Sequence, residues 1–99
     1  MKDNNMTEKT RSHVVVSGKV QGVCFRMETK RVAESYIVSG WVRNNRNGTV
    51  EAVFEGEKDR VTSVVEWCKK GPSHSNVSKV DIAEENYTGE FRGFNITFG

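Results

Sequence analysis

The first apolar run, His13 to Ser17 with Val14, Val15 and Val16 at its centre, is short and β-branched. It stops at Gly18, which predicts a strand. From Cys24 the period lengthens. Phe25, Thr29, Val32 and Tyr36 fall at i, i+4, i+7 and i+11, one face of a helix reaching about Tyr36. Ile37 to Asn44 predicts a second strand and Thr49 to Gly56 a returning one. Asn47-Gly48 between them signals a type I′ hairpin, whose two central residues both need positive φ. Val61, Val64, Val65 and Cys68 then mark a second helix. Acids Glu57 and Asp59 stand at its start, Lys69 and Lys70 at its end, and Gly71-Pro72 stop it. Asn76 to Glu85 predicts a fourth strand. Phe94, Ile96 and Phe98 alternate with Asn95 and Thr97, predicting a core-facing row on a short final strand.

The order is β-α-β-β-α-β plus that last strand. It predicts an α+β, two-layer sandwich of the split βαβ type: a mostly antiparallel sheet with two helices on one face. Residues 1–12 are polar and predict a disordered N-terminal tail, leaving residues 13–99 as one domain. The chain of 99 residues is 28% charged and 35% hydrophobic, ordinary values for a polar globular protein. No apolar stretch approaches the ~18 residues of a membrane span. The polar start has no secretory apolar core, so a cytoplasmic protein with no membrane partner is expected. Cys24 and Cys68 form no CxxC pair, and two reduced thiols fit that compartment. A net charge of +2 does not by itself imply nucleic acid, though it favours small anions in a pocket.

The stretch between first strand and first helix carries the chemistry. Gly18 and Gly22 permit a backbone that turns successive N–H groups inward. Those groups sit at a helix N-terminus, where donors lack partners and the dipole is positive, a setting that suits phosphate or carboxylate. Arg26, in the first helical turn, can reach back with a planar fork. A tight turn beside a surface arginine would produce the same pattern. Better-known phosphate signatures fail: Gly18-Lys19 is followed by Val20 rather than Ser or Thr, and no G-x-G-x-x-G is present. Cys24 has no adjacent histidine to activate it as a nucleophile. His13 and His74 have no carboxylate or cysteine at ligand or triad spacing, and read as surface histidines. Trp41 and Trp67 read as core or wall residues. The spacing leaves open which of Asn44, Asn45 and Asn47 does more than build the hairpin.

Five segments, "GKVQGVCFR", "GWVRN", "NGTVE", "GPSHSNV" and "FNITF", resemble the acylphosphatase family, and the resemblance runs from about His13 to Phe98. It implies a ferredoxin-like sandwich and hydrolysis of carboxyl-phosphate mixed anhydrides. It further implies a loop shaped by Gly18 and Gly22, in which the backbone amides of Lys19, Val20, Gln21, Gly22 and Val23 cradle the phosphoryl group. Arg26 would bind that group through its guanidinium and Asn44 would orient the attacking water, with Cys24 carrying no catalytic duty. The expected substrate is a small-molecule acyl phosphate and the product inorganic phosphate, with no cofactor, no metal and a monomeric enzyme.

Fold alone does not decide function, and two other classes share this element order. One is a non-catalytic module that binds acyl or carbamoyl phosphate. The other is an RNA-binding module, for which "RGFNITF" resembles part of the aromatic motif. That match lacks the second aromatic and falls on the last strand rather than the third, so no nucleic-acid partner is expected.

Overall fold

The structure, a computed structural model, describes residues 8–98. Its elements in chain order are β1 (Lys9–Lys19), α1 (Phe25–Ser35), β2 (Ser39–Asn44), β3 (Val50–Glu57), α2 (Lys58–Lys70), β4 (Asn76–Glu85) and β5 (Phe94–Ile96). They form one sheet in the order β4-β1-β3-β2-β5. The first three pairings are antiparallel and β5 runs parallel to β2. This is the expected ferredoxin-like α+β sandwich with an added edge strand.

Alternation along the strands sorts the two faces. Val14 and Val16 on β1, Val42 on β2, and Val50, Ala52 and Phe54 on β3 are buried against the helices. The helices answer with the stripes their spacing predicted. Phe25, Thr29, Val32 and Ala33 are buried on α1, and Val61, Val64, Val65 and Cys68 on α2. Phe54 stacks on Phe94 with ring centroids 5.6 Å apart, which fixes the short β5 to the core.

Four expectations need correction. Residues 9–12, expected in the tail, are strand: Lys9 to Ser12 pair with Glu57 to Phe54, and Ser12 is buried. The tail expectation for residues 1–7 lies outside the described residues. Ile37 is not strand. It adopts φ 58, while its N–H donates to Glu34 O at 3.1 Å and Val38 N–H to Ala33 O at 2.9 Å. That is a Schellman stop to α1 with a β-branched residue where glycine is usual, so Tyr36 caps the helix instead of joining its buried face.

The hairpin is not type I′ either. Gly48 N–H donates to Asn45 O and Asn45 N–H to Thr49 O, and Gly48 takes positive φ whereas Asn47 does not. This is a three-residue loop closed by a glycine bulge. Asn47 Oδ1 accepts from both Thr49 N–H and Thr49 Oγ1, which holds the turn without left-handed asparagine. Finally, Phe98 is not part of the core: it lies past the end of β5 at Ile96 and is 84% exposed.

On the face away from the helices, residues 86–93 connect β4 at one edge to β5 at the other. They are held by Glu55, whose carboxylate is fully buried. Arg11 Nη1, Thr88 Oγ1 and Thr88 N–H donate to its Oε2, and Gly89 N–H donates to Oε1, at 2.9 to 3.1 Å. Burial pushes this carboxyl up, but the Thr88, Arg11 and Gly89 hydrogen bonds outweigh it and hold it below its ordinary value.

A depressed folded-state pKa stabilises the fold fully above the unfolded glutamate value and is lost as pH falls through the folded one. Urea unfolding should therefore show a midpoint that drops below about pH 4.3. Glu55→Gln should lose about 1–3 kcal/mol at neutral pH and show a shallower acid decline. Parallel acid declines in the two proteins would contradict the role given to Glu55.

Candidate active site

Residues 20–24 join β1 to α1 at one end of the sheet, and their shape follows from two backbone constraints. At Gly18 the β1–β4 register slips, and φ is 122. A Cβ there would stand 2.2 Å from Asn76 O and 2.7 Å from Ser78 N, so only glycine allows the strands to approach. Gly22 and Cys24 then take left-handed φ values of 74 and 62. At Gly22 that conformation is free; at Cys24 it is strained, since a side chain in it costs about 1–2 kcal/mol.

The consequence is a helix start without a side-chain cap. Cys24 occupies the N-cap position and supplies no capping hydrogen bond. Among the described residues, the N–H groups of residues 20–24 donate to no backbone acceptor. Those at the start of α1 have no intrahelical partner either. A row of unpaired donors is thus presented at the positive end of a helix dipole.

Arg26 lies in the first turn beside them. Its neighbours along α1 are ion-paired, Lys30 to Glu34 and Arg31 to Glu28, whereas Arg26 has no carboxylate partner among the described residues. Its guanidinium carbon instead lies 5.6 Å from the ring centroid of Phe98.

The structure also separates the three asparagines. Asn45 Nδ2 donates to Thr49 Oγ1 and Asn47 Oδ1 accepts from Thr49, so both serve the hairpin. Among the described residues, Asn44 Oδ1 is buried without a hydrogen-bond partner. It sits at the end of β2 on the helix-facing side, and it lines the same cavity of about 480 Å³ as Arg26, Val20, Gly22 and Cys24.

Of the sequence-expected positions, Lys19, Gln21 and Val23 do not line this cavity. Lys19 is exposed opposite Asn76 on β4, and Val23 packs against the core. Gln21 has a role that spacing did not reveal. Its Nε2 donates to Asn45 O at 2.8 Å and Thr49 O at 2.9 Å, tying the loop to the hairpin that follows Asn44. Met27, Ile96 and Phe98 also line the cavity. Ile96 and Phe98 carried the alternation signal, and Met27 carried none.

The remaining titratable groups lie elsewhere. His74 is exposed in its loop. His13, which has no carboxylate near it in sequence, meets Glu51 across the β1–β3 pairing on the opposite face. Burial pushes the Glu51 carboxyl up, but hydrogen bonds from His13 and Arg43 outweigh it and hold it below its ordinary value. Both cysteines are free, Cys24 exposed and Cys68 buried, and burial pushes the Cys68 thiol up to about 12. Trp67 packs on Phe25 at 5.5 Å, the wall position expected of it. Among the described residues no group of three or more His, Cys, Asp or Glu is placed to hold a metal ion, and no helix is long and apolar enough to cross a membrane.

Comparison with known proteins decides the family. The acylphosphatase family model matches residues 12–96. The chain belongs to the acylphosphatase family. It is 53% identical over 88 residues to an acylphosphatase of Syntrophus aciditrophicus, covering 89% of this chain and 92% of that one. An acylphosphatase of Pelotomaculum thermopropionicum is 53% identical over 90 residues, covering 91% and 98%. The solved structure of an acylphosphatase from Coxiella burnetii superposes with a TM-score of 0.85 at 39% identity, covering 90% of this chain and 93% of that one. The loop, Arg26 and Asn44 all fall inside the matched residues, whereas Phe98, which also lines the cavity, lies beyond them.

Gln21→Ala removes two neutral hydrogen bonds, each worth about 0.5–1.5 kcal/mol. It should lower the free energy of urea unfolding by about 1–3 kcal/mol in total. Wild-type stability in this variant would mean that the loop is held by other contacts.

Proposed function

We propose that the chain hydrolyses acyl phosphates to a carboxylate and inorganic phosphate without a metal. In this reading Arg26 and the N–H groups of residues 20–25 hold the phosphoryl group, and Asn44 positions the attacking water. The observation that carries it is Asn44 Oδ1, a buried acceptor with no donor among the described residues, on the same cavity as a guanidinium with no carboxylate partner among them. Buried acceptors are nearly always satisfied, so a group left open on a solvent-accessible cavity shared with a guanidinium suits a water O–H.

The reaction needs little else. Water oxygen bonds to phosphorus as the bridging P–O bond breaks, and that bond's electrons leave with the carboxylate. A water proton passes to solvent or to the phosphate formed. The leaving group is the anion of an acid with a pKa near ~4–5, so no general acid is required. A loose phosphoryl-transfer transition state asks little of its nucleophile, so no strong base is required. What remains is alignment of the water and stabilisation of charge on the equatorial phosphoryl oxygens. Unpaired amides, one arginine and one asparagine supply both. Phosphomonoesters, with far poorer alkoxide leaving groups, do not suit such a site.

The enzyme acts in this reading as a cytoplasmic monomer. The RNA alternative loses support because Phe94 is buried, leaving no aromatic row on that strand for bases to stack upon. A module that binds acyl phosphate without cleaving it would keep the cradle, and turnover separates the two.

Hydrolysis of benzoyl phosphate in EDTA tests the proposal. Wild type should turn over and phosphate should inhibit competitively, while Arg26→Ala should lose at least ~10²–10³ in turnover, as for a preorganised donor at developing charge. Asn44→Ala should lower kcat and leave the inhibition constant of phosphate nearly as it was, since it acts on the water. Strong EDTA inhibition, or wild-type kcat in Asn44→Ala, would contradict the mechanism.

A further inference from the structure

Resting on that reading, the geometry points to an acyl-group subsite formed by Met27, Ile96 and Phe98, which favours acyl phosphates whose acyl group is aromatic or otherwise apolar. The cavity is lined by groups of two kinds. Arg26, Asn44 and the loop backbone are polar. The apolar ones are Val20 and Phe25, which belong to the core, and Met27, Ile96 and Phe98, one from α1 and two from the C-terminal end of the described residues.

These side chains stand where solvent contact is unfavourable. Met27 is 66% exposed and Phe98 84% exposed, on the rim of a cavity rather than scattered on an open surface. Exposed apolar groups gathered beside a polar cleft mark a surface that becomes covered when a ligand binds.

Strand register explains why Phe98 is there. Ile96 pairs with Val42, and Thr97 N–H donates to Val42 O at 2.8 Å, so the chain keeps its direction past the end of β5. Ile96 and Phe98 therefore share the helix-facing side, and Phe98 is carried over α1 to rest against Arg26.

Chemistry determines what this rim meets. In an acyl phosphate only one bridging oxygen separates phosphorus from the acyl carbon. With the phosphoryl group on Arg26, the acyl substituent lies close to a ring whose centroid is 5.6 Å from the guanidinium carbon. A large apolar substituent there covers Phe98 and Met27 and leaves water, whereas a methyl is too small to cover them and a charged substituent would lose its hydration without a partner. The polar side holds the phosphoryl group common to all acyl phosphates, and the apolar rim discriminates among them.

The test measures kcat/KM for benzoyl phosphate and acetyl phosphate with wild type, Phe98→Ala, Phe98→Leu and Met27→Ser, together with the inhibition constant of inorganic phosphate. The substituted side chains are exposed, so folding should survive. Removing an apolar contact from a substrate pocket is worth about 10–200-fold, and an open rim belongs at the lower end. The benzoyl-to-acetyl ratio should thus fall about tenfold in Phe98→Ala, less in Met27→Ser, and be largely retained in Phe98→Leu. The loss should appear in KM for benzoyl phosphate more than in phosphate inhibition.

Equal losses on both substrates would show that Phe98 only seats Arg26 and would overturn the subsite while leaving the hydrolytic reading intact. Failure of the folded wild type to hydrolyse either substrate would overturn both.

Discussion

The unpaired N–H groups between β1 and α1 are the constraint around which the rest of the structure is arranged. A protein does not ordinarily leave successive backbone donors without acceptors beside a helix start that also lacks a side-chain cap. Here Gly18 brings β1 against β4 so closely that no Cβ fits, and the left-handed backbone at Gly22 and Cys24 turns the chain into α1 without a capping hydroxyl or carboxylate. The strained residue and the missing cap both act against stability. Both become intelligible if the partner of these donors is an anion that comes and goes.

The scaffold compensates by fixing that loop from two sides. Phe25 is buried against Trp67 at the root of α1, and the Gln21 amide clasps two hairpin carbonyls. The hairpin clasp brings Asn44 to the same cavity as Arg26, although the rest of α1 and most of β2 lie between them in the chain. Far from the cavity, Glu55 performs a comparable service for the crossing connection and so seats β5, which carries Ile96 and Phe98 to the cavity rim. Binding geometry at one end of the sheet thus depends on a buried carboxylate at the other.

Much of this was legible in the sequence because it rests on periodicity and on punctuation by glycine. The stripe of Val61, Val64, Val65 and Cys68 could bury only as a helix, and Asn76 to Glu85 lies in β4 with the bounds its pattern implied. The turn from Gly18 to Arg26 was legible because its glycines stand between a β-branched run and a helical stripe, although a tight turn beside a surface arginine would give the same pattern. What was hidden depends on partners distant in sequence. Lys9 to Ser12 look like tail until β3 lies beside them. Ile37 looks like strand because its β-branched side chain gives no sign of a left-handed helix stop. Asn44 is indistinguishable from Asn45 and Asn47 until their hydrogen bonds are counted, and the Gln21 clasp is a tertiary contact with no local signature.

In the proposed function, the orphaned donors of residues 20–25 and the Arg26 guanidinium receive a phosphoryl group. Titration of the 15N-labelled protein with inorganic phosphate, followed through backbone amide and arginine Nε–H resonances, tests it most directly. Saturable downfield shifts of amide protons concentrated in residues 20–25 are expected, with the Arg26 Nε–H moving in step. Phosphate binding that left those resonances in place while shifting amides elsewhere would contradict it.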